Sequence, residues 1–210
     1  MSETDQLRDA AARPVPTPSS AQDGATAGMP AALVWVRNRW PTWVAVGGAA
    51  LGWGGMESDD VLKGLAEFIF LLQLNYLVAA AVHRRWAAWV GLPVAIAIAT
   101  VLRAQESIDP STVLITLSAA VLLWGAARGL LAPPEAFVVQ AVGMVAFAAI
   151  ALVALAVDPE LARYLVAAGW FAHGVWDFAH LRADKVVSRS FAEWCGVVDV
   201  LLAVQLVLVV

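Results

Sequence analysis

Residues 136–157 read AFVVQAVGMVAFAAIALVALAV. No charged side chain interrupts the run, and at a rise of 1.5 Å per residue a helix of about 20 residues crosses the hydrocarbon core of a bilayer. Inside hydrocarbon the backbone finds no water for its N–H and C=O groups, so such a segment must satisfy them internally as a helix. This stretch sets the class: all-α and membrane-embedded.

Working outward, six further apolar segments appear. They are about Trp40 to Gly55, Val61 to Val82, Trp86 to Leu102, Thr112 to Ala127, Leu161 to His180 and Phe191 to Val210. The first is short for a crossing unless Leu33 to Val36 are added to it. The expectation is a polytopic helical bundle of about seven transmembrane helices, one compact domain over residues 33–210. Asp109-Pro110, Pro133-Pro134 and Asp158-Pro159 mark turns that start the next helix. Residues 1–32 are rich in Pro, Ser, Thr, Ala and charge, and are expected to be a disordered cytoplasmic tail. They do not read as a signal peptide, because no apolar stretch follows a short basic start. No internal repeat of the kind found in many transporters is evident.

Composition agrees. The chain is 61% hydrophobic and 14% charged, where a soluble domain has about 45–50% and about 25%. A net charge of −4 without a basic run argues against a nucleic-acid partner. A single cysteine excludes an internal disulfide. Ten tryptophans suit an interfacial belt.

Basic residues fall on alternate connections. One set carries Arg37, Arg39, His83, Arg84, Arg85, Arg128, Arg182, Lys185 and Arg189; the other carries Glu57, Asp59, Asp60, Lys63, Arg103, Glu106, Asp109, Asp158, Glu160 and Arg163. Lys and Arg favour the cytoplasmic side. The expected topology in the cytoplasmic (inner) membrane therefore has the N-terminus inside and the C-terminus outside.

The chemistry concentrates in residues 169–199, GWFAHGVWDFAHLRADKVVSRSFAEWCGVVD. An ionisable group at membrane depth costs a few kcal/mol or more unless it is paired or faces water, so it marks a functional site. His173, Asp177 and His180 recur at i, i+4 and i+7 on one helix stripe. Imidazole and carboxylate together suit zinc, iron or manganese, so the expected metal ligands are His173, Asp177 and His180 and the expected cofactor a divalent transition metal. The two histidines stand about 10.5 Å apart along a straight helix, so only one of them can join Asp177 around an ion. The last segment offers Glu193, Cys195 and Asp199. Asp199 and His173 fall at comparable depth if the helices are antiparallel, where a metal site, a proton-transfer couple and a structural salt bridge are all open. The expected catalytic acids are Asp177, Asp199, Glu193 and, in the second segment beside Gln73, Asn75 and Tyr76, Glu67. A bland reading stands beside each. Glu67 serves equally well as an acid hydrogen-bonded to a neighbouring helix, and Cys195 as a small buried hydrophobe. Arg182, Lys185 and Arg189 read first as orientation signals and second as a clamp for a lipid headgroup or diphosphate.

The cluster HGVWDFAHLRADKVVSRSFAEWCGVVD is similar to one in small multi-pass membrane proteins common in high-GC actinobacteria, a resemblance that implies no particular activity. A looser likeness is to the seven-helix membrane terpene cyclases of natural-product pathways. That resemblance implies acids in a helical cavity that protonate an isoprenoid, with Glu67 and Asp177 or Asp199 as the matching types. Three functions remain open at this point. One is a membrane enzyme on a lipid-like or isoprenoid substrate, working by acid–base or metal-assisted chemistry, with membrane lipids around it. The second is a non-catalytic partner or assembly protein, using Gly47-Gly48, Gly125 and Gly143 for close helix packing. The third is a proton- or cation-coupled transporter. The oligomeric state is left open.

Overall fold

The computed structural model describes residues 30–51, 58–105, 108–132 and 136–208. Glu57, Glu106, Pro133-Pro134 and residues 1–29 of the expected tail lie outside the described residues. The described residues form eight helices and no strand: α1 Ala31–Asn38, α2 Trp40–Leu51, α3 Asp59–Val82, α4 Ala87–Ala104, α5 Pro110–Ala127, α6 Ala136–Ala156, α7 Pro159–Ala183 and α8 Arg189–Leu208. Five of these, α3, α4, α5, α6 and α8, are long and apolar enough to cross a membrane. This supports a multi-pass membrane protein.

The differences from the sequence reading have local causes. Ala31 and Ala32, expected in the tail, open α1, which ends at Asn38. The first apolar segment yields α2, whose 12 described residues are by themselves fewer than the about 20 of a crossing, and residues 52–57 that follow lie outside the described residues. Helix α7 has 25 residues, but its histidines, Asp177 and arginines hold it outside the apolar set. The chain divides at Trp40–Pro41 into two units, and α1 belongs to the first.

Local chemistry sets the helix starts. Asp109 and Asp158 cap α5 and α7, accepting from the backbone N–H of Thr112 and Leu161, and Pro110 and Pro159 follow in the first turn. The bonds from Thr112 hold the Asp109 carboxyl below the usual carboxylate range.

Within residues 41–208, α3 is the centre. Its most apolar window is 72% buried, against 17% for α4 and for α5. It packs on α4, α5, α6 and α7, and α7 lies along α8. At one end of the bundle, Arg85 pairs with Asp184, its Nε–H donates to the Val187 carbonyl (3.1 Å), and its own carbonyl accepts from the Ser188 N–H (3.1 Å). The α3–α4 and α7–α8 turns are thereby fastened together. Both turns use a left-handed residue, His83 (φ 52) and Asp184 (φ 53). At the other end Arg103 bonds the Asp60 carbonyl (2.9 Å) and the Glu67 carboxylate (2.9 Å). These two anchors put His83, Arg84, Arg85, Arg182, Lys185 and Arg189 at one end, and Asp60, Lys63 and Arg103 at the other.

Candidate functional site

The site is assembled by the α7–α8 pair and closed by α3 and α6. Two glycines let α7 and α8 approach. A Cβ on Gly196 would stand 3.2 Å from the Asp177 Cβ and 3.1 Å from the Phe178 ring; one on Gly174 would stand 3.3 Å from the Asp199 Cβ. At this separation the His173 Nδ1 lies 2.7 Å from Asp199 Oδ2 across the helix pair and 3.4 Å from Asp177 Oδ2 one turn along its own helix. From α3, the Tyr76 hydroxyl donates to Asp177 Oδ1. Tyr76, His173, Asp177 and Asp199 are each at most 1% exposed.

The rings around this row are tightly placed. Tyr76 meets His173 edge-on at 5.7 Å between centroids, and Phe147 of α6 meets His173 at 5.1 Å. Burial on this scale demands partners for every polar atom. Among the described residues, His173 Nε2, Asp177 Oδ2 and Asp199 Oδ1 have no hydrogen bond. Two carboxylates and one imidazole, enclosed with unspent acceptors, form a centre able to take up a proton or a cation.

His180 stands apart from it. Its Nδ1 lies 2.8 Å from the Trp176 carbonyl and its Nε2 lies 2.9 Å from Gln140 Nε2. Gln140 Oε1 in turn accepts from Gln73 (3.4 Å), so its amide donates to His180. The Nδ1–H tautomer, a neutral ring, satisfies both contacts. His180 is on one helix stripe with His173 but two turns further on, as the spacing requires; the residues whose potential donor atoms all lie within 4.8 Å of one another are His173, Asp177 and Asp199.

The remaining expected acids lie elsewhere. Glu67 is paired with Arg103, which is the neighbouring-helix role. Glu193 Oε1 accepts from the Thr42 hydroxyl at 2.6 Å. Both of these bonds lead to helices other than the α7 that carries His173 and Asp177. Cys195 is buried one turn before Asp199. Sequence reasoning passed over Tyr76 and Gln140 as site members. Each is a polar residue inside an apolar helix, and that interruption was the available signal. An apolar groove of about 580 Å³ lies on α3, α4 and α5, lined by Leu71, Asn75, Val90 and Val121 among others and by none of the four cluster residues.

The fold and site together define a multi-pass helical protein with an enclosed Tyr–Asp–His–Asp row. Compared with known protein families, curated proteins and solved structures, the chain shows no match.

Proposed function

We propose that the protein is an integral membrane enzyme acting on a lipid-like or isoprenoid substrate, with Asp177, His173 and Asp199 as its reactive centre. The observation that supports this reading is the enclosed row itself. A structural ion pair between α7 and α8 needs one carboxylate per imidazole, and here two carboxylates share His173 while Tyr76 is spent on holding Asp177. A hydrogen-bonded carboxyl can deliver a proton to a double bond or leaving group, and the nearby Trp176 can face a developing cation. Because the four residues are enclosed, α3 and α7 must part to admit a chain. The test is conversion of isoprenoid and phospholipid substrates by membranes carrying the wild type, Asp177→Asn or Asp199→Asn. Conversion by the wild type alone supports the reading; equal product from the double variant ends it.

For topology we propose seven crossings with the N-terminus cytoplasmic, α7 crossing between α6 and α8. The gathering of Arg84, Arg85, Arg182, Lys185 and Arg189 at one end supports that end as the cytoplasmic one. Thiol labelling of Lys185→Cys from outside intact cells would contradict it, as would protection of Asp158→Cys.

A second reading, a proton-coupled carrier, is favoured by the amide chain Gln73–Gln140–His180, whose last ring packs on Tyr76 at 5.1 Å. Proton uptake by proteoliposomes without any substrate conversion would select it over the enzyme.

A further inference from the structure

We infer that His173, Asp177 and Asp199 bind one divalent transition-metal ion, with His173 Nδ1, Asp177 Oδ2 and one Asp199 carboxylate oxygen as donors. The inference rests on the reading of this cluster as the working centre and gives that centre its cofactor class.

Geometry comes first. One ligand atom from each residue lies within 4.8 Å of the other two. Donors about 2.1 Å from a shared ion, at angles between octahedral and tetrahedral, stand roughly 3.0–3.4 Å apart. The 3.4 Å from His173 Nδ1 to Asp177 Oδ2 is already in that range, and the 2.7 Å to Asp199 Oδ2 must open by only a few tenths. A small outward rotation of either carboxylate provides this.

Satisfaction comes second. Asp177 Oδ2 is buried without a hydrogen-bond partner, and an ion relieves it as a plain salt bridge does not; Asp199 offers the ion either its unpartnered Oδ1 or the Oδ2 now on His173, while His173 Nε2 stays without a partner. Tyr76 donates to Asp177 Oδ1 and leaves Oδ2 free. That is the part an outer hydroxyl plays in orienting a ligating carboxylate. The Tyr76 and Phe147 rings fix the plane of the imidazole.

Charge comes third. Two carboxylates and a neutral imidazole carry two negative charges, and one divalent cation makes the enclosed set neutral. Without an ion, the same neutrality needs two added protons. In a medium where an unbalanced charge costs several kcal/mol, this match selects a divalent over a monovalent ion. One nitrogen and two oxygens suit zinc, manganese or ferrous iron. Three protein ligands leave a position open for water or substrate, as in catalytic rather than structural sites. His180 takes no part, because both its nitrogens are engaged by Trp176 and Gln140.

The test uses the full chain in mild detergent. Metal content is measured directly, and the metal-stripped protein is then titrated with Co²⁺, whose visible absorption reports a nitrogen–oxygen site. The expected result is near one ion per chain, and at least a tenfold weaker Co²⁺ affinity in His173→Gln and Asp199→Asn. His180→Gln should bind within about twofold of the wild type. Asp199→Glu keeps the ligand type and should retain Co²⁺ with a shifted spectrum, which guards against a variant that merely misfolds. Elution as a single species checks each variant. Absence of Co²⁺ binding by the wild type overturns the inference. So does equal binding by Asp199→Asn, or a loss in His180→Gln as large as in His173→Gln. A metal-free wild type that still converts substrate, in a manner abolished by Asp177→Asn, removes the metal and leaves the acid-catalysed enzyme. A metal-loaded protein that converts none of the lipids supports the metal and removes the enzyme.

Discussion

The α4–α5 pair and the α7–α8 pair are both membrane-length helices, yet their hydroxyl, imidazole and carboxyl groups are satisfied in different ways. In α4 and α5 the hydroxyls of Thr100, Thr116 and Ser118 bond the carbonyl four residues back in their own helix, at 2.8 Å each. In α7 and α8 the polar groups reach across: His173 to Asp199, Asp177 to Tyr76, His180 to Gln140, Trp170 to the Leu65 carbonyl. A hydroxyl satisfied within its own turn says nothing about where the helix must sit. One satisfied from another helix specifies the neighbour, the depth and the rotation. Among the described residues the hydroxyls of α5 specify no neighbour, whereas α4 is tied to α3 by Arg103 and to α8 by Trp89, and the α7–α8 pair by its whole polar row.

Substitutions can break or sharpen that contrast. The largest effect is expected for Asp199→Ala, which leaves His173 buried without its 2.7 Å partner. Removing one member of a buried pair costs about 3–5 kcal/mol. Ser118→Ala in α5 should cost less than about 1 kcal/mol, since only a local bond is lost. Heating in detergent, followed by the fraction eluting as native protein, compares the two. Equal losses would show that cross-helix bonding does not hold the α7–α8 pair.

Next comes Gly196→Val. Its Cβ alone meets Phe178 and Asp177 at 3.1 to 3.2 Å, and the added methyls force the helices apart. Overpacking of this kind costs about 1–3 kcal/mol. It should also weaken Co²⁺ binding although no ligand has changed. Unaltered binding would mean that the helix separation does not position the cluster.

The smallest effect belongs to the turn outside the bundle. The hydrogen bond from Arg85 holds the Asp184 carboxyl below the usual carboxylate range. A carboxyl lowered on folding stabilises above its unfolded pKa of about 3.9, and the contribution is lost as pH falls through the lower folded value. The pair is exposed, so salt screens it. Asp184→Asn should therefore lower thermal stability slightly at pH 7 and low salt, and the gap to the wild type should narrow as pH drops below 4. A gap that widens in acid would give the pair the wrong sign.

Legibility followed the same divide. Helix positions could be read because apolar runs and Asp-Pro starts are local, and α3 through α8 begin and end within a few residues of the expected segments. The meeting of His173 with Asp199 was readable from depth alone, since two antiparallel helices share one depth scale. Tyr76 and Gln140 were legible only as polar interruptions of apolar helices, which mark an inward face but not which residue of another helix they meet. Glu67 looked as costly as Asp177 until Arg103 of α4 stood beside it. The shortness of the first apolar segment was itself legible, and α2 covers its described part. Bonds from α2 to α8 include Thr42 to Glu193 and Gln205 to the Ala49 carbonyl (3.0 Å), which no periodicity announces.

The 2.7 Å contact between His173 and Asp199 also constrains how the chain is made. Helix α7 alone presents an imidazole and a carboxylate to the lipid, and it falls outside the helices apolar enough to cross by themselves. Helix α8 follows after a short turn and brings the acid that completes the row. If α7 crosses, entry of the two as one hairpin, with their polar faces already against each other, keeps these groups from hydrocarbon.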